Sequence, residues 1–168
     1  EEEGATYELN GKQIPIAKDE YVPDTVQRFL VDFITRHRDQ PFFAYYPMSL
    51  MHIKLFRTPD SKPGKLTPTE IFSDNIAYMD KLVGKLIDEL DRQQLREKTL
   101  VIFCGDNGTA GSAAKAPVNG KPLSGAKASM LEGGSRVPLI FNWPGTTPAG
   151  QVNHDLTDFS DFLRTFAD

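Results

Sequence analysis

The sequence predicts an α/β fold built on a mainly parallel sheet flanked by helices, and three observations carry that expectation. Apolar stripes at helical spacing alternate with short apolar runs that end in turn residues. The clearest run, residues 100–103 (Leu-Val-Ile-Phe), stops abruptly at Gly105-Asp106-Asn107-Gly108, the pattern of a strand buried on both faces. Finally, residues 42–46, the helix after Thr67 and the run after Thr99 follow one another as a βαβ unit, whose crossover is expected to be right-handed.

Taken in order, residues 1–22 lack a clean period and are punctuated by Gly11 and Pro15, so they read as an irregular lead-in. From 24 to 38, Val26, Phe29, Leu30, Phe33 and Ile34 share one helical face, with Asp24 as N-cap. Asp39-Gln40-Pro41 ends that helix, and residues 42–46 (Phe-Phe-Ala-Tyr-Tyr) read as an aromatic strand. Residues 47–66, rich in Pro and Lys, are a loop containing His52. Thr67, Pro68 and Glu70 then spell a capping box with proline in the first turn. Phe72, Ile76, Met79, Val83, Leu86 and Leu90 continue it as one apolar stripe, and Gly84 within the stripe implies close packing against the sheet. The helix frays through residues 91–94. Residues 108–136 are a long connection rich in Gly, Ala, Ser and Lys, of the kind that is functional or disordered. Residues 137–143 read as a third strand closed by Pro144-Gly145, and 158–166 place Phe159, Phe162, Leu163 and Phe166 on a last helical face.

With 168 residues, 39% of them hydrophobic, the chain suffices for one core and one domain. A net charge of −4 with scattered basic residues argues against a nucleic-acid surface. No apolar run approaches the roughly 20 residues of a membrane span, and Glu1-Glu2-Glu3 is not a signal peptide. The single cysteine, Cys104, excludes an internal disulfide, and its place at a strand end predicts a buried, inert thiol.

The chemistry concentrates after the 100–103 run. Asp106 and Asn107 would lie beyond the carboxyl end of a strand, where open α/β sheets bind ligands. Two adjacent oxygen-bearing side chains suit a hard cation, Ca²⁺ or Mg²⁺, while the same residue types also populate ordinary turns; the tetrapeptide leaves both readings open. The βαβ unit would bring His52 to the same sheet edge, and Lys127 sits in the long loop. A dication, an ammonium and an imidazole together make an oxyanion site with a proton relay. Taken singly, His52 reads as a loop histidine and Lys127 as a solvated lysine; His37 and His154 read as structural or exposed. The stretch from Gly120 to Lys127 only approximates a phosphate-binding loop, because its lysine is one residue late and Ala128 replaces the metal-binding hydroxyl. Asn107-Gly108-Thr109 matches a glycosylation sequon, a pattern of little specificity that conflicts with metal binding by Asn107.

Three stretches carry a resemblance: Pro41-Phe42-Phe43-Ala44-Tyr45-Tyr46 with His52; residues 100–108 ending Gly-Asp-Asn-Gly; and residues 123–138, Leu-Ser-Gly-Ala-Lys-Ala-Ser-Met-Leu-Glu-Gly-Gly-Ser-Arg-Val-Pro. In this order and spacing they resemble the type I sulfatases of the alkaline phosphatase superfamily, over residues 24–168. The resemblance implies an alkaline-phosphatase/sulfatase-like fold, here incomplete, and hydrolysis of sulfate esters, with Asp106 and Asn107 as ligands of Ca²⁺ (Mg²⁺ being possible). It implies His52 at the sulfate or leaving oxygen and Lys127 on the sulfate, both as catalytic and substrate-binding residues, while Glu132 and Arg136 read as ordering the loop. An Asp-Asn pair, where phosphatases of the superfamily tend to have Asp-His, favours calcium over zinc. The sequence departs from the family at Met51-His52-Ile53-Lys54, where Pro-His-x-Pro is frequent, and at Ala126 and Ala128, where glycines usually flank the lysine. Arg164 stands where a proline is common. The Cys/Ser-x-Pro/Ala-x-Arg motif that yields the formylglycine nucleophile does not occur in these 168 residues. Residues 1–168 are therefore expected to be part of a sulfatase catalytic domain, without its nucleophile half and its C-terminal subdomain, and inactive in isolation. The implied partners are a sulfated small molecule or a sulfated glycan, in a periplasmic, secreted or lysosome-like compartment. The alternatives are a phosphonate or phosphate monoesterase of the same superfamily, or a non-catalytic module that retains the fold.

Overall fold

The computed structural model describes residues 5–52, 54–111 and 120–167. In chain order they form β1 (Thr6–Leu9), β2 (Lys12–Pro15), α1 (Val22–His37), α2 (Pro68–Arg92), a 3₁₀ turn (Arg96–Lys98), β3 (Val101–Cys104), α3 (Glu132–Ser135), β4 (Leu139–Asn142) and α4 (Ser160–Ala167). No helix among the described residues is long and apolar enough to cross a membrane.

The irregular lead-in expected before α1 is instead a hairpin. β1 and β2 pair antiparallel with Leu9 opposite Lys12, and Asn10 and Gly11 both take positive φ, 51° and 79°. A two-residue type I′ turn demands that conformation, and Asn-Gly is its strongest local signal. The turn chemistry outweighs the missing period.

α1 begins two residues before Asp24, with Tyr21 as an extended N-cap that makes no side-chain capping bond. Asp24 has a different task, accepting the Tyr78 hydroxyl on both carboxylate oxygens at 2.8 and 2.9 Å. The buried face of α1 is Gln27, Leu30 and Ile34, whereas Val26 and Phe29 are exposed. Gln27 donates its side-chain N–H to the Leu82 carbonyl at 3.0 Å, a buried bond from one helix to the backbone of the other. Burial, and then the Asp24 charge, pushes the Tyr21 and Tyr46 hydroxyls up to about 12 and raises that of Tyr78 as well, so all three remain neutral donors near pH 7.

α2 has the capping box read from its sequence: Thr67 Oγ1 accepts the Glu70 N–H at 3.3 Å, and the Glu70 carboxylate accepts the Thr67 N–H at 2.7 Å. That backbone bond holds the exposed Glu70 carboxyl below its usual range. Its contribution is present at neutral pH and is lost as pH falls through the lowered value. The most deeply buried residues are Asn75, Tyr78, Leu82 and Leu90, a stripe rotated from the expected one, which left Ile76 exposed. The rotation has a polar cause. Asn75 donates to the Phe56 and Ile71 carbonyls, both at 2.8 Å, and Tyr78 reaches Asp24, so satisfied polar groups share the inner face with leucines.

Two buried clusters pack on α2, the first of them against α1. Leu30, Ile34, Leu90 and Leu95 form one, with Phe33, Phe42, Tyr46, Leu86 and Val101 against it; Leu50, Tyr78 and Leu82 form the other, with Tyr21, Met48 and Met79. Residues 42–46 are not a strand. Phe42 and Tyr46 pack inward while Phe43 and Tyr45 stay exposed, the alternation of an extended segment, but no neighbouring strand among the described residues takes its backbone groups. The expected βαβ unit is therefore not formed.

The mainly parallel sheet is likewise corrected: both described sheets are two-stranded and antiparallel. β3 pairs with β4 from Val101 opposite Asn142 to Cys104 opposite Leu139. Among its described residues the connection between them has one helix, the four-residue α3, and it returns at the end it left, where the Gly105 N–H donates to the Pro138 carbonyl at 3.1 Å. A parallel pairing needs a crossover to the opposite end. With one partner strand among the described residues, β3 is half-buried rather than covered on both faces, and Cys104 is exposed, not the buried thiol expected. The final helix packs Phe162 edge-on against Phe141 of β4, with centroids 6.2 Å apart, and the Trp143 indole N–H donates to the Glu97 carbonyl at 2.7 Å.

The connection itself is fastened by backbone. The Gly108 N–H donates to Gly134 O at 2.9 Å, Gly133 N–H to Ser124 O at 2.7 Å and Lys127 N–H to Thr109 O at 2.9 Å. A Cβ on Gly108 would stand 2.0 Å from the Gly133 carbonyl oxygen, and one on Gly134 2.1 Å from that of Ser129. Ala128 holds φ at 69°, where an L side chain is strained.

Three substitutions test this account by thermal or denaturant unfolding. An added Cβ at the exposed Gly84 would meet nothing within 4 Å, so the expected close packing is absent there, and Gly84→Ala should raise stability by up to about 1 kcal/mol. Gly108→Ala should lower it by about 1–3 kcal/mol, the cost of overpacking. Ala128→Gly should raise it by a few tenths to about 1 kcal/mol, as relief from left-handed strain exceeds the added chain entropy.

Candidate active site

Asp106 and Asn107 are the two residues between Gly105, bonded to Pro138, and Gly108, bonded to Gly134. Both ends of the dipeptide are thus held by one limb of the chain. Asn107 donates its side-chain N–H to Asp106 Oδ1 at 2.7 Å, so the carboxylate and the amide lie against each other. Asp106 is exposed and Asn107 half-buried.

This donor set fits a hard divalent cation in kind. A carboxylate and an amide carbonyl are the oxygen ligands that Ca²⁺ and Mg²⁺ take, and no thiolate or imidazole stands in the dipeptide. In number the set is partial. Calcium takes 6–8 oxygens, and among the described residues no group of three or more His, Cys, Asp or Glu gathers that could hold a metal.

Lys127 is brought to the same region by its backbone, through the bond to Thr109, two residues after Asn107. The turn that presents it is closed by the Ser129 N–H on Ala126 O at 2.9 Å and by the Ala126 N–H on Ser129 Oγ at 3.2 Å, with Gly134 seated against both carbonyls. Glu132 and Arg136 form an ion pair at 3.2 Å, alongside the Arg136 N–H donating to Glu132 O at 2.8 Å, so they brace the limb that holds Gly108.

His52 stands in another stretch of the chain, the connection between α1 and α2. Its N–H closes a turn on the Ser49 carbonyl at 3.2 Å, its side chain is exposed, and its neighbour Leu50 is buried against Tyr78 and Leu82. No hydrogen bond or ion pair among the described residues joins His52 to Asp106, Asn107 or Lys127, and the βαβ route expected to bring it there is not formed. Of the other histidines, His37 donates its Nδ1–H to the Phe33 carbonyl at 2.7 Å and stacks on the Phe33 ring, and His154 is exposed. The sequence reading did not single out Thr109, Ser124 and Pro138, whose carbonyls hold the loop. For Ser124 and Pro138 the sequence signal is the glycine that approaches each, Gly133 and Gly105; Thr109 is met by Lys127 and carries no such signal.

The family model described as Sulfatase matches residues 4–168. Human arylsulfatase H is 32% identical over 159 residues, covering 89% of this chain and 27% of that protein. N-acetylgalactosamine-6-sulfatase of Canis lupus familiaris is 35% identical over 140 residues, covering 80% of this chain and 26% of that protein. Among solved structures, the PsFucS1 sulfatase from Pseudoalteromonas sp. superposes with a TM-score of 0.75 at 27% identity, over 92% of this chain and 32% of that one. Ps i-CgsB in complex with k-i-k-neocarrahexaose superposes with a TM-score of 0.71 at 30% identity, over 87% of this chain and 33% of that one. The chain spans about a quarter of the length of the curated relatives it matches. With the family model matching nearly its whole length, this chain belongs to the sulfatase family.

Proposed function

We propose that this chain supplies the sulfate-holding part of a sulfuric ester hydrolase whose substrate is a sulfated saccharide. The observation that carries the reading is the Asp106–Asn107 dipeptide, fixed at both ends to the limb that also positions the Lys127 loop, in a member of the sulfatase family. In this reading Asp106 and Asn107 hold Ca²⁺, or Mg²⁺ in its place, which when bound supplies positive charge to the sulfate oxygens. Lys127 pairs its ammonium with the same sulfate, and His52 gives a proton to the departing alcohol oxygen. The attacking oxygen comes from a formylglycine outside these 168 residues, so residues 1–168 act as one part of a catalytic domain. The saccharide class is supported by the neighbours: one relative is named for N-acetylgalactosamine 6-sulfate, and one structural neighbour is solved with k-i-k-neocarrahexaose.

The test is turnover of a paired aryl sulfate and aryl phosphate by the full-length protein, with and without a calcium chelator. Sulfate hydrolysis should predominate, and Asp106→Ala should lower kcat/KM by about 10²-fold or more, the scale of removing one preorganised charge stabiliser. Chelation should affect the wild type and leave the Asp106→Ala protein unmoved. Preference for the phosphate would assign the phosphomonoesterase reading, and turnover of neither ester a binding module. The 168-residue chain alone should bind calcium weakly and turn over nothing. Aryl-sulfate hydrolysis by it, abolished by Asp106→Ala, would overturn the division of the site between this chain and another segment.

A further inference from the structure

Beside the Lys127 loop lies an open groove of about 550 Å³. Pro122, Leu123 and Leu131 give it apolar walls, and Lys121, Glu132 and Arg136 stand around them. The same backbone bonds that position the candidate site build the groove. Ser124 O, on one side, takes the Gly133 N–H from the other, and the next residue, Gly134, accepts from Gly108. The groove is therefore tied to Asp106, Asn107 and Lys127 by main chain rather than by mobile side chains.

Its charge is unbalanced. Arg136 is engaged by Glu132 at 3.2 Å, so those two cancel, while Lys121 is exposed with no acidic partner among the described residues. One free ammonium beside a short apolar wall suits a ligand that offers a C–H face and an anionic substituent together. A sugar ring bearing an anionic group has that form. Lys121 and Lys127 belong to one short run, whose Cα atoms can lie at most about 20 Å apart, a reach that a short oligosaccharide covers.

We infer that this groove is a subsite for a second anionic group, sulfate or carboxylate, on a saccharide whose scissile sulfate sits at Lys127. The inference rests on the sulfatase reading above and adds a substrate preference to it: polyanionic saccharides over monosulfated ones. Lys121 supplies the charge, and its compact ammonium does not itself choose between the two anions.

Three oligosaccharides of equal length separate the possibilities when given to the full-length protein: one monosulfated, one disulfated, and one with a single sulfate and a uronate carboxylate. Lys121→Gln should raise KM for one or both dianionic substrates by roughly two- to fivefold relative to the monosulfated one, the range of an exposed ion pair. Which substrate responds identifies the anion. Lys121→Arg should restore the ratio, and added salt should shrink it. Equal KM changes for all three substrates, or none for any, overturn the inference. If the wild type hydrolyses no sulfate ester, it is the sulfatase reading that fails. Calorimetric titration with the same three oligosaccharides then decides the groove: tighter dianion binding that Lys121→Gln removes upholds it, and equal affinities overturn it.

Discussion

The constraint on which the candidate site depends is the absence of side chains at Gly108, Gly133 and Gly134. Three stretches of main chain meet there at hydrogen-bonding distance, and a single Cβ at Gly108 would fall 2.0 Å from a carbonyl oxygen. Because the contact is backbone to backbone, it sets position by covalent geometry rather than by rotamer choice. The dipeptide Asp106-Asn107 hangs between two of its bonds and the Lys127 turn from a third. A cluster of exposed polar residues on a long connection would otherwise lose its arrangement to chain entropy.

The helical half of the molecule rests on a different device. α1 and α2 meet through leucines, and the register between them is marked by two polar bonds, Gln27 to the Leu82 carbonyl and Tyr78 to Asp24. Apolar contacts are non-directional, so leucines alone allow neighbouring registers of similar energy. The Gln27 N–H and the Tyr78 hydroxyl each have a partner in this register and would lose it in the next, at a cost of about 1–3 kcal/mol. These bonds explain why the inner face of α2 runs through Asn75 and Tyr78 rather than through the apolar stripe that its sequence suggests.

The exposed aromatic and aliphatic residues belong to the same picture. Phe43 and Tyr45 alternate with the packed Phe42 and Tyr46, and Ile140, Phe141, Phe159 and Leu163 leave the β4–α4 side apolar. A segment with the alternation of a strand and no neighbour keeps the side-chain pattern without the ladder. That is why residues 42–46 have strand composition and yet are extended coil among the described residues.

What the residues themselves determined are the features of short range. The capping box at Thr67, the Pro144-Gly145 turn, the amphipathic helices and the Asp-Asn-Gly and Glu-Gly-Gly-x-Arg signatures each depend on neighbours within a few positions, and the family membership that they spell is legible in the letters. Asn10-Gly11 was equally legible, as turn chemistry rather than as periodicity. Only the tertiary structure decided the antiparallel pairing of β3 with β4, the exposure of Cys104, the rotated face of α2 and the anchoring of Lys127 to Thr109. Each of these turns on which distant backbone group or polar side chain satisfies which partner, and hydrophobic spacing carries no information about that choice.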